Sequence, residues 1–439
     1  MLGVIGIIGA LALLIFLAYK GWGMMPATAL CSVIVILSNG GDVWTVITGD
    51  YIEGLKVFIG SYFVLFALGA IFGQFMGDSG AAEAIAYKIT TTFGTKHAIL
   101  VVILASALLT YGGVLIFVVV FAIFPIAKTL YFRARLPKRL ILGALGLGTC
   151  TFTMTALPGS PSLLNIIPAQ TIDSTPMSAP ILGILCSLAM FGMGYFYLQR
   201  EGTKALQAAE FNPSHDYPEL LGVENQQDPD ASALPNWMIS VLPIFVIIGS
   251  IVAFSGDIDT VKLVCVALGG GILVIFATSW KYLENPVQSF NAGAQNSVLA
   301  LLNTSSVVAF GFVVKSMPAF QSFVDFAMGL DFGIYTSIAL ASNIIAGIVG
   351  SSSGGLTIFM QGMGQEFIAR GADPDIFHRI AAIAAGGLDS LPHSGAVITM
   401  LMVMGLTHKE AYKDFGVVTV VIPMFVTACA VVFLTLLYG

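Results

Sequence analysis

The stretch GLDSLPHSG, residues 387–395, decides how this chain is read. Before it runs HRIAAIAAG and after it AVITMLMVMGL, both apolar enough for a membrane helix. Between them stand Asp389, His393, two serines, Pro392 and two glycines. A carboxylate at the centre of a bilayer costs about 3 kcal/mol or more, so intramembrane acids mark function.

The rest of the chain supports the membrane reading. Of 439 residues, 57% are hydrophobic and 10% charged, against about 25% charged in soluble proteins. The expected fold class is an all-α polytopic membrane protein. The net charge of −6 arises mostly from one loop, and there is no basic patch to hold nucleic acid. Cys31, Cys150, Cys186, Cys265 and Cys429 are scattered; neither a metal site nor a disulfide framework nor any cofactor is expected. MLGVIGIIGALALLIFLAY (1–19) lacks a basic start and a cleavage site. It reads as a first span, not a removed signal peptide.

A helix crosses hydrocarbon in about 20 apolar residues. Simple spans are expected at 2–19, 24–38, 57–77, 180–199, 236–254, 261–279, 297–315 and 416–438. Four segments are irregular. Residues 97–127 and 334–363 are long, with the small or polar centres LTYGGVL and VGSSSGGLT. Residues 139–170 and 377–404 carry the breaks TALPGSPSLLN and LDSLPHSGA. These pair up in order: Gly112-Gly113-Val114-Leu115-Ile116-Phe117 with Gly354-Gly355-Leu356-Thr357-Ile358-Phe359, then Leu157-Pro158-Gly159-Ser160 with Leu391-Pro392-His393-Ser394. The pattern predicts an internal repeat. The first repeat covers 1–200, with hairpin 97–127 and broken helix 139–170. The second covers 236–439, with hairpin 334–363 and broken helix 377–404. A polar cytoplasmic linker at 201–235, acidic and proline-containing, is read as solvent-exposed.

Taking 97–127 and 334–363 as re-entrant hairpins leaves five true spans per half. Five is odd, so the second half enters the membrane inverted, the plan of secondary transporters. The distribution of cations agrees. One side collects 13 of the 18 Lys and Arg, and the other collects Lys56, Lys262, Lys315, Arg370 and Arg379. Both termini then lie outside the cytoplasm; the first hairpin opens from the cytoplasm, the second from outside.

Irregular backbone at membrane depth is tolerated only where protein or water satisfies it. The breaks and hairpin tips are therefore expected to meet near the midplane. Each break exposes a half-helix N-terminus, whose N–H groups and dipole suit a carboxylate. The breaks themselves hold no Lys or Arg.

The pattern resembles the gluconate permease (GntP) family of the ion transporter superfamily. GGLDSLPHSGAVIT is similar to its hydroxybutyrate-permease branch, and the resemblance spans essentially the full chain. It implies a proton-coupled symporter for small hydroxylated carboxylates of the 3-hydroxybutyrate or gluconate type, not an enzyme. It also implies a dimerising scaffold, a transport domain moving as an elevator, and a multi-pass location in a bacterial inner membrane. A Ser-Asn-Thr signature of sodium-coupled superfamily members is missing from both hairpin tips; a sodium-coupled carboxylate carrier is the alternative.

Candidate substrate contacts are Tyr111, Gly112 and Gly113 at the first tip and Thr155, Gly159, Ser160, Ser162 and Asn165 at the first break. In the second half they are Ser352, Ser353, Gly354 and Gly355 at the tip and Ser390, His393 and Ser394 at the break. Asp389 and His393 are the candidate proton carriers. Plainer roles are open for each: Asp389 as a helix cap, His393 as a buried hydrogen-bonder, Tyr111 as filler, the tip serines as small packing residues, and Ser162 and Asn165 as partners for freed backbone. Repeat symmetry favours chemistry in the second break. An offset of 234 aligns Asp389 with Thr155, His393 with Gly159 and Ser394 with Ser160, so the first break lacks ionisable groups. An aspartyl intramembrane protease needs two carboxylates sharing a proton, and no second acid lies in a comparable segment. A Ser/His protease would pair His393 with Ser390 or Ser394, which are near in sequence only. A channel is the third class; the inverted hairpins suit alternating access better.

Overall fold

The computed structural model describes residues 2–111, 116–160, 162–220, 234–254, 260–328 and 333–438. These are helical throughout, with no strand among the described residues. Seven of their helices are long and apolar enough to cross a membrane. The protein is an integral, polytopic membrane protein.

The first half opens with α1 (Leu2–Tyr19) packed on α2 (Met24–Ser38). The 15 residues of α2 rise only about 22 Å, short of the hydrocarbon thickness of about 30 Å. Then comes α3 (Val43–Asp78), 36 residues long. Asp42 caps it, accepting from the Thr45 N–H at 2.6 Å. Next are α4 (Ala81–Phe93), the helix pair α5 (Ala98–Tyr111) and α6 (Ile116–Arg133), and α7 (Arg139–Thr149). A break carrying a wide helical turn at Phe152–Ala156 leads to α8 (Leu163–Thr171) and α9 (Pro180–Gln207).

The second half follows the same order. α10 (Trp237–Phe254) packs on α11 (Thr260–Ser279). A long helix, α12 (Pro286–Ser316), and a short one, α13 (Pro318–Met328), precede the pair α14 (Ile334–Val349) and α15 (Ser352–Ala369). α16 (Pro374–Ala385) and α17 (Gly395–Met404) flank the second break. α18 (His408–Gly416) and α19 (Ile422–Tyr438) form the last near-continuous helix.

α3 and α12 lie along each other in opposite directions. A Cβ on Gly54 would come within 2.6 Å of Ala309 Cα, and one on Gly293 within 2.7 Å of Ile71 Cα. The start of each helix thus meets the end of the other, backbone against backbone. Lipid tails offer no hydrophobic drive for helix pairing, so close contact at small residues supplies the dispersion that does. The halves also exchange contacts: α13 packs on α1 and α4 on α10, while α12 packs on α2 and α3 on α11.

Three expectations change. The long helices begin earlier than the apolar runs: α3 reaches back to Val43 and α12 to Pro286. α4 and α13, whose polar residues recur on one face, are helices outside the expected spans. The stretch 201–235 is not wholly a solvated linker. α9 continues through Gln207, and Tyr217 is fully buried, its Oη donating to the Leu136 carbonyl at 2.8 Å. Lys128 pairs with Glu219 at 3.0 Å. The aromatic ring and the ion pair fasten this strand of polar sequence onto the end of α6.

Candidate functional site

The second break begins where α16 runs out at Gly386 and Gly387. A side chain at Gly387 would collide with Asn343 on α14; instead the Asn343 Oδ1 accepts from the Leu388 N–H at 2.9 Å. Asp389 follows, 6% exposed. Its Oδ1 accepts from the Ser390 hydroxyl at 2.9 Å, and Ser352, at the start of α15, stands beside the same carboxyl. Asp389 forms no ion pair with any described residue.

α18 holds the freed carbonyls of this break. Tyr412 Oη donates to the Ser390 oxygen at 2.9 Å, and His408 Nε2 donates to the Pro392 oxygen at 2.7 Å. His393 Nε2 lies 3.0 Å from the Gly347 oxygen at the end of α14. The turn between α14 and α15 rests on the break here. Gly350 (φ +66°) would place a Cβ 3.0 Å from the His393 ring and 3.6 Å from Ser394 Cα; both the left-handed backbone and the close approach require glycine. Two helix N-termini therefore meet around Asp389 and His393. α15 is capped by Ser351, which accepts from the Gly354 N–H at 3.2 Å. α17 begins after Ser394, whose side chain makes no cap hydrogen bond, so its first N–H groups have no side-chain acceptor among the described residues.

In the first break the polar side chains are turned onto backbone. Ser162 Oγ donates to the Met154 oxygen at 2.9 Å, and Ser160 Oγ to the Tyr111 oxygen at 3.3 Å. Tyr111 Oη donates to the Pro158 oxygen at 3.2 Å. Asn165 Nδ2 spans the Leu157 and Ser160 oxygens at 3.2 and 3.0 Å. Gly159 adopts φ +81°, with its N–H on the Pro176 oxygen at 2.9 Å.

The two breaks touch. A Cβ at Gly386 would lie 2.4 Å from the Thr155 methyl carbon. Farther along α16, Arg379 is 0% exposed. Its Nη1 donates to Asn165 Oδ1 at 2.8 Å, and its other donors reach the Pro176 and Ser178 oxygens. His378 donates from Nε2 to the same Asn165 oxygen and accepts at Nδ1 from Ser174. Arg379 is thus not a loop cation, as the charge count by side had it. It is a buried clamp joining α16 to the first break.

The structure brings Asp389, Ser390, His393, Ser394 and Ser352 together. Thr155, Gly159, Ser160, Ser162, Asn165 and Tyr111 form a second cluster against α16. Gly354 serves the Ser351 cap, and Gly355 lets α15 touch α14, where a Cβ would stand 2.3 Å from Ala346 Cα. Ser353 sits half-buried in the first turn of α15. Gly112 and Gly113 lie outside the described residues. Sequence reasoning missed Asn343, His378, Arg379, His408 and Tyr412. Asn343, His378 and Arg379 carried a usable signal, being polar side chains in otherwise apolar helices; His408 and Tyr412 looked like a polar helix start.

Comparison with known proteins agrees with this architecture. The family model described as GntP family permease matches residues 2–276. An uncharacterized transporter, YxjC, of Bacillus subtilis (strain 168) is 32% identical over 449 residues, covering 94% of this chain and 94% of its own length. An uncharacterized transporter of Haemophilus influenzae is 29% identical over 208 residues, 47% of this chain and 45% of its own length. The chain belongs to the GntP family of permeases.

Proposed function

We propose that this permease is a proton-coupled symporter of a small hydroxycarboxylate, of the 3-hydroxybutyrate or gluconate type, bound at the second break. The observation that carries this reading is Asp389: a buried carboxyl without an ion-pair partner among the described residues, set where two helix N-termini converge. Burial without a cation favours the neutral acid. Neutral Asp389 leaves the N-termini free to attract a carboxylate; ionised, it repels one. Proton and substrate then bind cooperatively, as symport requires.

The antiparallel pairing of α3 with α12, and the matching order of elements on either side, support two inverted repeats. Arg379 and Asn165 tie both breaks into one body, which supports their moving together past the long helices as an elevator. A homodimer in the bacterial inner membrane, surrounded by lipid and with both termini outside the cytoplasm, completes the reading. The test is uptake into proteoliposomes. A pH gradient alone should drive accumulation of labelled 3-hydroxybutyrate or gluconate, and preloaded substrate should give counterflow. Accumulation that requires sodium and ignores the pH gradient would overturn proton coupling; absence of counterflow would overturn the carrier.

A further inference from the structure

The second break leaves one polar atom unspent. His393 is 2% exposed, and its Nε2 lies 3.0 Å from the Gly347 carbonyl oxygen. A carbonyl only accepts, so that nitrogen carries the proton. A neutral imidazole has one N–H, which leaves Nδ1 as a bare acceptor. It is buried and has no hydrogen-bond partner among the described residues. Its neighbours in the break are otherwise met: the Ser390 oxygen by Tyr412, the Pro392 oxygen by His408, the Leu388 N–H by Asn343, and Asp389 by Ser390. Protonating Nδ1 would bury a charged donor with nothing to receive it, so the acceptor form is the one this packing holds. An open buried acceptor calls for a donor from outside the protein. It stands two residues before Gly395, where α17 begins with its N-cap side chain unused.

A carboxylate fits the α17 N–H groups but offers no donor to Nδ1. A hydroxyl on the same small molecule does. We propose that His393 Nδ1 accepts a hydrogen bond from the hydroxyl of the bound hydroxycarboxylate, making His393 the residue that selects hydroxy acids over the matching oxo acids. An oxo oxygen at that position would set lone pair against lone pair and leave the acceptor unmet. This inference rests on the second break being the substrate site. The Nε2 hydrogen bond to the Gly347 carbonyl sets the orientation of the ring and so the direction in which Nδ1 points.

The experiment is competitive binding to the full-length protein in lipid nanodiscs, with 3-hydroxybutyrate, acetoacetate and butyrate, and with lactate against pyruvate as a second pair. The hydroxy acid should bind about tenfold or more tighter than its oxo counterpart. His393→Gln, whose amide can donate to Gly347 and still accept, should keep part of that preference; His393→Leu should lose it. Equal affinity for the hydroxy and oxo acids of both pairs in the unmutated protein would overturn the inference and leave the carboxylate site standing. A hydroxy preference that survives in a folded His393→Leu protein would overturn it too. Binding of no carboxylate would overturn both readings. The comparison in the unmutated protein decides even if a variant fails to fold.

Discussion

At the scale of single residues, the two breaks differ in what their side chains are free to do. Asp389→Asn keeps size and hydrogen bonding but not the proton, so it should bind substrate with an affinity that no longer varies between about pH 5.5 and 8.5. It should also lose uptake driven by a pH gradient. Measured binding and proteoliposome uptake check this, and continued accumulation by Asp389→Asn would hand the coupling role to another group. Ser394 has a hydroxyl unspent on its own helix, while Ser160 already donates to Tyr111. A hydrogen bond to a charged group contributes about 1.5–3 kcal/mol. Ser394→Ala should therefore weaken carboxylate binding by roughly 10- to 150-fold, and Ser160→Ala by much less; equal losses would argue that both breaks hold the anion. Arg379 raises a stability question instead. Arg379→Leu would leave the buried Ser178 carbonyl without its Arg379 donors, at a cost of about 1–3 kcal/mol, while the Pro176 carbonyl keeps the Gly159 N–H. A clear drop in melting temperature is expected, smaller for Arg379→Lys, and an unchanged melting temperature would show the clamp to be idle.

At the scale of helices, much was legible because membrane helices announce themselves by length and apolarity. Pro158 and Pro392 gave away the breaks, and the Gly-Ser run at 350–355 gave away the α14–α15 turn. The supports of the breaks were not legible. Tyr412 and His408 act on carbonyls 22 and 16 positions away, and Arg379 on an amide 214 positions away; no local pattern encodes such pairings. α4 and α13 escaped notice because they are short and interrupted by polar residues such as Glu83, Lys88, Gln321 and Asp325, which in a linear reading breaks the apolar run. The α14–α15 pair itself hinges on Gly355, where even a Cβ meets the Ala346 backbone. Gly355→Val should force these helices apart and abolish transport while leaving membrane insertion intact, as judged by expression and uptake. On the polar end of α7, Arg139 bonds Glu210 (2.8 Å from Nη2 to Oε2) and the buried Asp414. Its hydrogen bond holds the Glu210 carboxyl below its ordinary range. A lowered folded value means stability that is present above about pH 4.3 and lost as the pH falls through the folded value. The melting temperature should therefore decline on acidification, and less steeply in Glu210→Gln, whose neutral-pH stability should be slightly lower. Parallel pH curves for the two proteins would remove Glu210 from the acid response.

At the scale of the whole molecule, the proposed inversion fixes where the ends lie. Single cysteines at Ser214, exposed beyond α9, and at Gly439 should react with an impermeant thiol reagent from opposite faces of the membrane, on a background in which the native cysteines have been replaced. Labelling from one face would break the five-span count on which the inverted plan depends.

The seam between α3 and α12 also has a history in time. Some 250 residues separate Gly54 from Ala309, and synthesis adds about 5–20 residues per second. For about 10–50 s the first helix stands in the bilayer with its small-residue groove open and its eventual neighbour unmade. Contacts between such distant parts of a chain form late, so the nascent first half must be kept from pairing with another nascent copy through that same groove. Overexpression, by crowding half-made chains together, should raise the yield of such mispaired molecules, and slowing translation after α9 should raise it further.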